Sequence, residues 1–141
     1  MNLNIWLGNP ISYACDYVDW FARCKCDRQG SPLAPFVESL YGIEGIKVRR
    51  RNVPTIEIID NALVKNKVVV MKSAISYKGE TMGHYFLVTE RKENSFFCVN
   101  YSDKHGWLKK TFFENYYLNY HAKYCEDCGV APYAWIVSKV S

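Results

Sequence analysis

Apolar and polar positions follow a helical rhythm in the first part of the chain and a strand-like rhythm in the second. From Ala14, apolar residues fall at Tyr17, Val18, Phe21 and Ala22, the spacing that lines one face of a helix. Pro10 and Ser12 stand just before this run, where helix starts favour them. Residues Asp27 to Pro32, with Gly30 among them, read as a loop. Pro35 to Tyr41 then reads as a short second helix that stops at Gly42. Ile46 to Arg50 alternates as a strand does. Thr55 is a candidate N-cap for a third helix, Ile56 to Lys65, with Ile58, Ile59, Ala62 and Leu63 turned inward.

The rhythm then changes. Val68 to Met71 is a continuous apolar strand. His84 to Thr89 is another, with Phe86 and Val88 on the same face as His84. Polar residues from Glu90 to Ser95 supply a turn, and Phe96 to Tyr101 returns with Phe96, Cys98 and Asn100 on one face. Trp107 and Leu108 add a short strand, Thr111 to Tyr120 a helix, and Ala134 to Val140 a last strand. Helices followed by antiparallel strands predict an α+β fold, a helical N-terminal half packed on a C-terminal antiparallel sheet.

With 141 residues, and no repeat or linker, the chain fits a single domain over 1–141. Its 49% hydrophobic content excludes disorder. No stretch reaches the roughly 20 apolar residues of a membrane helix. Met1 to Gly8 lacks the charged and apolar regions of a signal peptide, so a cytoplasmic chain with reduced thiols is expected. A net charge of +4 is modest, and nucleic-acid binders concentrate more. The basic run Lys47-Val48-Arg49-Arg50-Arg51 reads as the solvated face and end of a strand, with a phosphate or acidic-peptide contact as the alternative.

Four residues can carry chemistry together. Cys15 sits in the first turn of the best helix, where the helix dipole favours thiolate over thiol. His84 can take the thiol proton and return it to a leaving group. Asn100 follows sixteen residues later in the return strand. If the hairpin turns near Lys92 it comes opposite His84 and can hold the imidazole. If the turn centres on Glu93-Asn94, Asn100 falls about three positions off, and Asp103 is the other candidate. Asn9, six residues before Cys15, can join the Cys15 backbone N–H in an oxyanion hole. Taken singly, each has an ordinary reading: a packed cysteine, a strand-end histidine, a strand-ending polar residue, a loop residue before Pro10.

In order and spacing, Asn9, Cys15, His84 and Asn100 resemble the site of papain-like cysteine peptidases, most closely the C39-like group related to the leader-cleaving domains of bacteriocin exporters. The segment Gly83-His84-Tyr85-Phe86-Leu87-Val88 is similar to that family's histidine strand, and Thr55 to Lys67 to its short helix before an apolar strand. The resemblance covers nearly the whole chain. It implies a papain-like fold and a thiol peptidase acting on a protein or peptide substrate, without a cofactor. An acyltransferase using the same triad and a non-catalytic peptide-binding module are the alternatives. Three positions depart from the pattern: Asn9 where the family has Gln, Asp16 where it has Gly, and Asn100 where it has Asp. Asp16 sets a negative charge beside the thiolate and opposes its ionisation.

A second constellation pairs Cys24-x-Cys26 with Cys125-x-x-Cys128. Four thiolates can hold a structural zinc, and Cys125 with Cys128 can alternatively form a redox pair. His105 and His121 read as a loop residue and a helix-end residue.

Overall fold

A computed structural model of the chain describes residues 40–77, 80–99, 101, 104–119 and 132–139. The predicted helix from Ala14 and most of the one predicted from Pro35 lie outside them. Leu40 to Gly42 form a turn, and Gly42 takes a φ of +85°, a left-handed conformation that a side chain would strain.

Among the described residues six strands form one antiparallel sheet. They are β1 (Ile46–Arg51), β2 (Val68–Tyr77), β3 (Glu80–Arg91), β4 (Ser95–Val99), β5 (His105–Lys109) and β6 (Tyr133–Lys139). Their order across the sheet is β1-β6-β2-β3-β4-β5, so β6 slots between β1 and β2. The expected α+β character is present as this sheet with short helices.

The predicted third helix forms as α1, Ile56–Val64, and its ends show why. The Thr55 side chain accepts a hydrogen bond from the Ile58 N–H at 3.2 Å and satisfies one of the helix's orphan donors. At the far end Asn66 adopts a φ of +60°. Its N–H bonds Leu63 O, and the Lys67 N–H bonds Ala62 O, both at 3.0 Å. This is a Schellman closure, with Asn in place of the usual Gly. Ile59, Ala62 and Leu63 are buried, and covering a large aliphatic side chain contributes roughly 1.5–3 kcal/mol.

β2 is an interior strand, and Val68, Val69, Val70 and Met71 are all at most 1% exposed. Alternation sends them to two cores. Val69 and Met71 join Phe86, Val88, Phe96, Cys98 and Ala134 on the face covered by α1. Val68 and Val70 join Leu87, Trp135 and Val137 on the opposite face, with Leu40.

The expected helix from Thr111 starts at Lys110. It runs as α2 (Lys110–Phe113) and continues as a π-helical stretch over Glu114–Asn119. Phe113, Tyr117 and Leu118 bury themselves on the α1 face. One carboxylate ties these pieces together. Asp60 of α1 accepts from Arg91 Nε at 2.6 Å, at the end of β3, and from Lys110 Nζ at 2.8 Å, at the start of α2. The Arg91 hydrogen bond, with help from Lys110, holds the Asp60 carboxyl below the usual carboxylate range. No helix among the described residues is long and apolar enough to cross a membrane.

Candidate active site

β3 carries the sequence Gly83-His84-Tyr85-Phe86-Leu87-Val88, in which alternate residues face opposite sides of the sheet. Phe86 and Val88 point into the α1 face and are buried at 1% and 0% exposure. His84 lies on that same face one step further along and is half-buried. Its ring stacks on Phe86, with centroids 6.4 Å apart and planes at 19°.

The neighbouring strand places Ser73 directly across from His84. Ser73 is fully buried, and its Oγ donates to the Tyr117 carbonyl at 3.3 Å. That carbonyl belongs to the π-helical stretch, where the widened turn frees backbone groups for outside partners. The Tyr117 ring sits 4.8 Å from Phe86, and its hydroxyl donates to the Tyr101 carbonyl at 3.5 Å. Burial raises the Tyr117 phenol above its ordinary range, so it remains a neutral donor. His84, Phe86, Ser73 and Tyr117 thus form one patch linking β3, β2 and the π turn. No family model, curated protein or solved structure matches the chain.

His84 is the one member of the predicted catalytic set among the described residues. Cys15, Asn9, Asn100 and Asp103 lie outside them, as do Cys24, Cys26, Cys125 and Cys128. The hairpin after His84 is described up to the critical point. Lys92 N–H bonds Ser95 O at 2.8 Å, and Arg91 pairs with Phe96, so the turn centres on Glu93-Asn94. A bulge between Val88 and Glu90 then moves the register by one residue, and the last described pair is Leu87 with Val99. The hairpin therefore turns at Glu93-Asn94 and not near Lys92.

Ser73 and Tyr117 were not singled out by sequence. The signal for Ser73 was present: it falls two residues past Met71 on the buried alternation, so the strand outlasts its apolar run. The π turn has no such signature. His105 begins β5 at an exposed position paired with Val99. Among the described residues no group of three or more His, Cys, Asp or Glu is placed to hold a metal ion.

The opposite face differs in character. Tyr85 and Tyr133 share a hydroxyl hydrogen bond of 2.7 Å, and Tyr133 packs edge-on against Trp135. Arg50 lies 3.9 Å above the Tyr133 ring, and Lys72 about equally far from the Tyr85 and Tyr133 rings, at 5.3 and 5.4 Å. These cations rest on aromatic faces, and among the described residues neither pairs with a carboxylate.

Proposed function

We propose that the chain is a papain-like thiol hydrolase of the C39-like group, acting in the cytoplasm on a peptide or isopeptide bond. In the papain-like arrangement the helical N-terminal half, carrying Cys15, packs against the antiparallel sheet, carrying His84. The observation that carries the proposal is the setting of His84. It stands half-buried in the second of two long antiparallel strands that follow a capped helix, on the helix-bearing face. A proton-transfer imidazole needs a fixed place, and the Phe86 ring and the pairing with buried Ser73 limit its freedom. The adjacent π-helical stretch adds support, because π turns concentrate at functional sites.

The chemistry runs in two halves. His84 accepts the Cys15 Sγ proton, and the thiolate adds to the scissile carbonyl carbon. Asn9 and the Cys15 N–H hold the resulting oxyanion. The C–N bond breaks, and His84 gives its proton to the departing amine, leaving a thioester. Water then adds to the thioester as His84 takes its proton. The C–S bond breaks, and the thiol and a free carboxylic acid are formed. Asn100 accepts from the imidazole and keeps its tautomer.

Alkylation with iodoacetamide across pH, located by mass spectrometry, tests this scheme. In the wild type, Cys15 is expected to react fast well below the ordinary thiol pKa of about 8.5, ahead of the other cysteines. His84→Ala and His84→Gln are both expected to abolish that advantage, and Cys15→Ser to remove the label. A Cys15 that reacts like an ordinary thiol and ignores both His84 variants ends the catalytic proposal.

A further inference from the structure

β1 turns alternate residues to opposite faces. Arg50 goes to the aromatic face, over Tyr133. Lys47, Arg49 and Arg51 go to the α1 face, where they line a groove of about 320 Å³ between β1, β6 and α1. Lys65, at the C-cap of α1, and Lys67, just beyond it, converge on the same groove from the other side. Among the described residues no carboxylate lines it. Among the described residues none of these five cations makes an ion pair.

Charged residues on an outer strand have an ordinary purpose: they discourage edge-to-edge pairing with other chains. That accounts for β1 alone. It does not account for Lys65 and Lys67, which come from a different element and face the same space. Five like charges around one groove repel one another, and an anionic ligand relieves that repulsion.

From this groove we infer a docking site for an extended acidic segment of a partner protein. Three features select this ligand. Successive groove-facing side chains of β1 repeat every two residues, about 6.6–6.8 Å, the same interval at which an extended peptide presents alternate side chains. The floor is aliphatic, made by Ile58, Ala62 and Ile136, and suits small apolar side chains between the acidic ones. Among the described residues the lining holds no aromatic ring, whereas single-stranded nucleic acid sites stack bases on aromatic platforms. The groove shares the α1 face with His84, but its role does not depend on Cys15 chemistry.

Fluorescence anisotropy of the full chain carrying Cys15→Ser, which prevents turnover of the probe, provides the test. The probe is a fluorescein-labelled peptide of alternating Glu and Val, about eight residues long, to span β1. It is expected to bind, and to bind more weakly as salt rises. Arg49→Glu and Lys65→Glu, each at an exposed position, are each expected to weaken binding about tenfold, because each removes one attraction and adds one repulsion. Lys104→Glu, exposed and outside the groove, is expected to stay within about twofold. Unchanged thermal melting shows the variants to be folded. Failure of the peptide to bind overturns the inference, as does equal binding by both folded groove variants. Displacement of the peptide by oligothymidylate at lower concentration than by unlabelled peptide also overturns it, in favour of a nucleic-acid site.

Discussion

His84 on β3 pairs across the sheet with Ser73 on β2, and the buried hydroxyl of Ser73 is bonded to the Tyr117 carbonyl of the π turn. The histidine's backbone is therefore anchored through a neighbour that is itself fastened to a helix. Ser73→Ala removes that fastening without altering the strand. It is expected to cost about 1 kcal/mol, the usual net worth of one internal hydrogen bond. Urea unfolding measures it, and a loss below a few tenths of a kcal/mol contradicts the anchoring role.

Asp60 makes stability depend on acid. Its folded pKa is depressed by Arg91 and Lys110, so the network's contribution is fully present above the unfolded carboxyl value of about 4. It is lost as pH falls through the lower folded value. Asp60→Asn is expected to reduce stability by about 1 kcal/mol at neutral pH, since water screens the partly exposed pair. The difference from wild type is expected to shrink as the pH falls below about 4. Melting temperatures measured from neutral pH down to about pH 3 decide the matter, and a constant gap refutes it.

Cys98 is the counterpart to the proposed nucleophile. Burial on the α1 face pushes its thiol up to about 12, so it stays protonated through the neutral range. In the alkylation experiment it is expected to remain unlabelled in the native protein at mildly alkaline pH and to react fully in denaturant. Native-state labelling of Cys98 at the rate of an exposed thiol is the contrary result.

The ends of α1 invite two opposite substitutions. Thr55→Ala deletes the capping oxygen and is expected to cost about 1 kcal/mol. At Asn66, Gly is expected to be neutral or slightly stabilising, since the left-handed conformation suits it. Val there is expected to destabilise by roughly 1–2 kcal/mol. Chemical denaturation of the three variants checks the order, and a Val variant as stable as Gly argues against the left-handed closure.

Local chemistry made part of this fold readable in advance. α1 carried its own start signal in Thr55 and its own face in Ile59, Ala62 and Leu63, and it forms where expected. The apolar strand Val68–Met71 and the strand from His84 were also plain, but both run longer than their apolar segments. Lys72 extends β2 by resting on aromatic rings, and Ser73 by satisfying its hydroxyl on Tyr117, which are tertiary contacts that periodicity cannot show. The bulge between Val88 and Glu90 was equally hidden, since it depends on pairing between strands. Of the candidate site, His84 could be followed from sequence into structure. The groove was foreshadowed by the basic run at Lys47. Its second bank, Lys65 and Lys67, is brought opposite only by the packing of α1 over the sheet.

The placement of β6 has a consequence for how the protein is made. β1 and β2 have no direct pairing between them; each pairs with β6, which is the last of the six strands to leave the ribosome. Until β6 arrives, a nascent chain holds two strands that lack this shared neighbour, and β2 opens on the apolar run Val68 to Met71. Unpaired strand edges are templates for association. A message that stops before Tyr133 would thus leave β1 without the strand that joins it to β2 and the chain inclined to aggregate, so the sheet can close only after translation has passed β6.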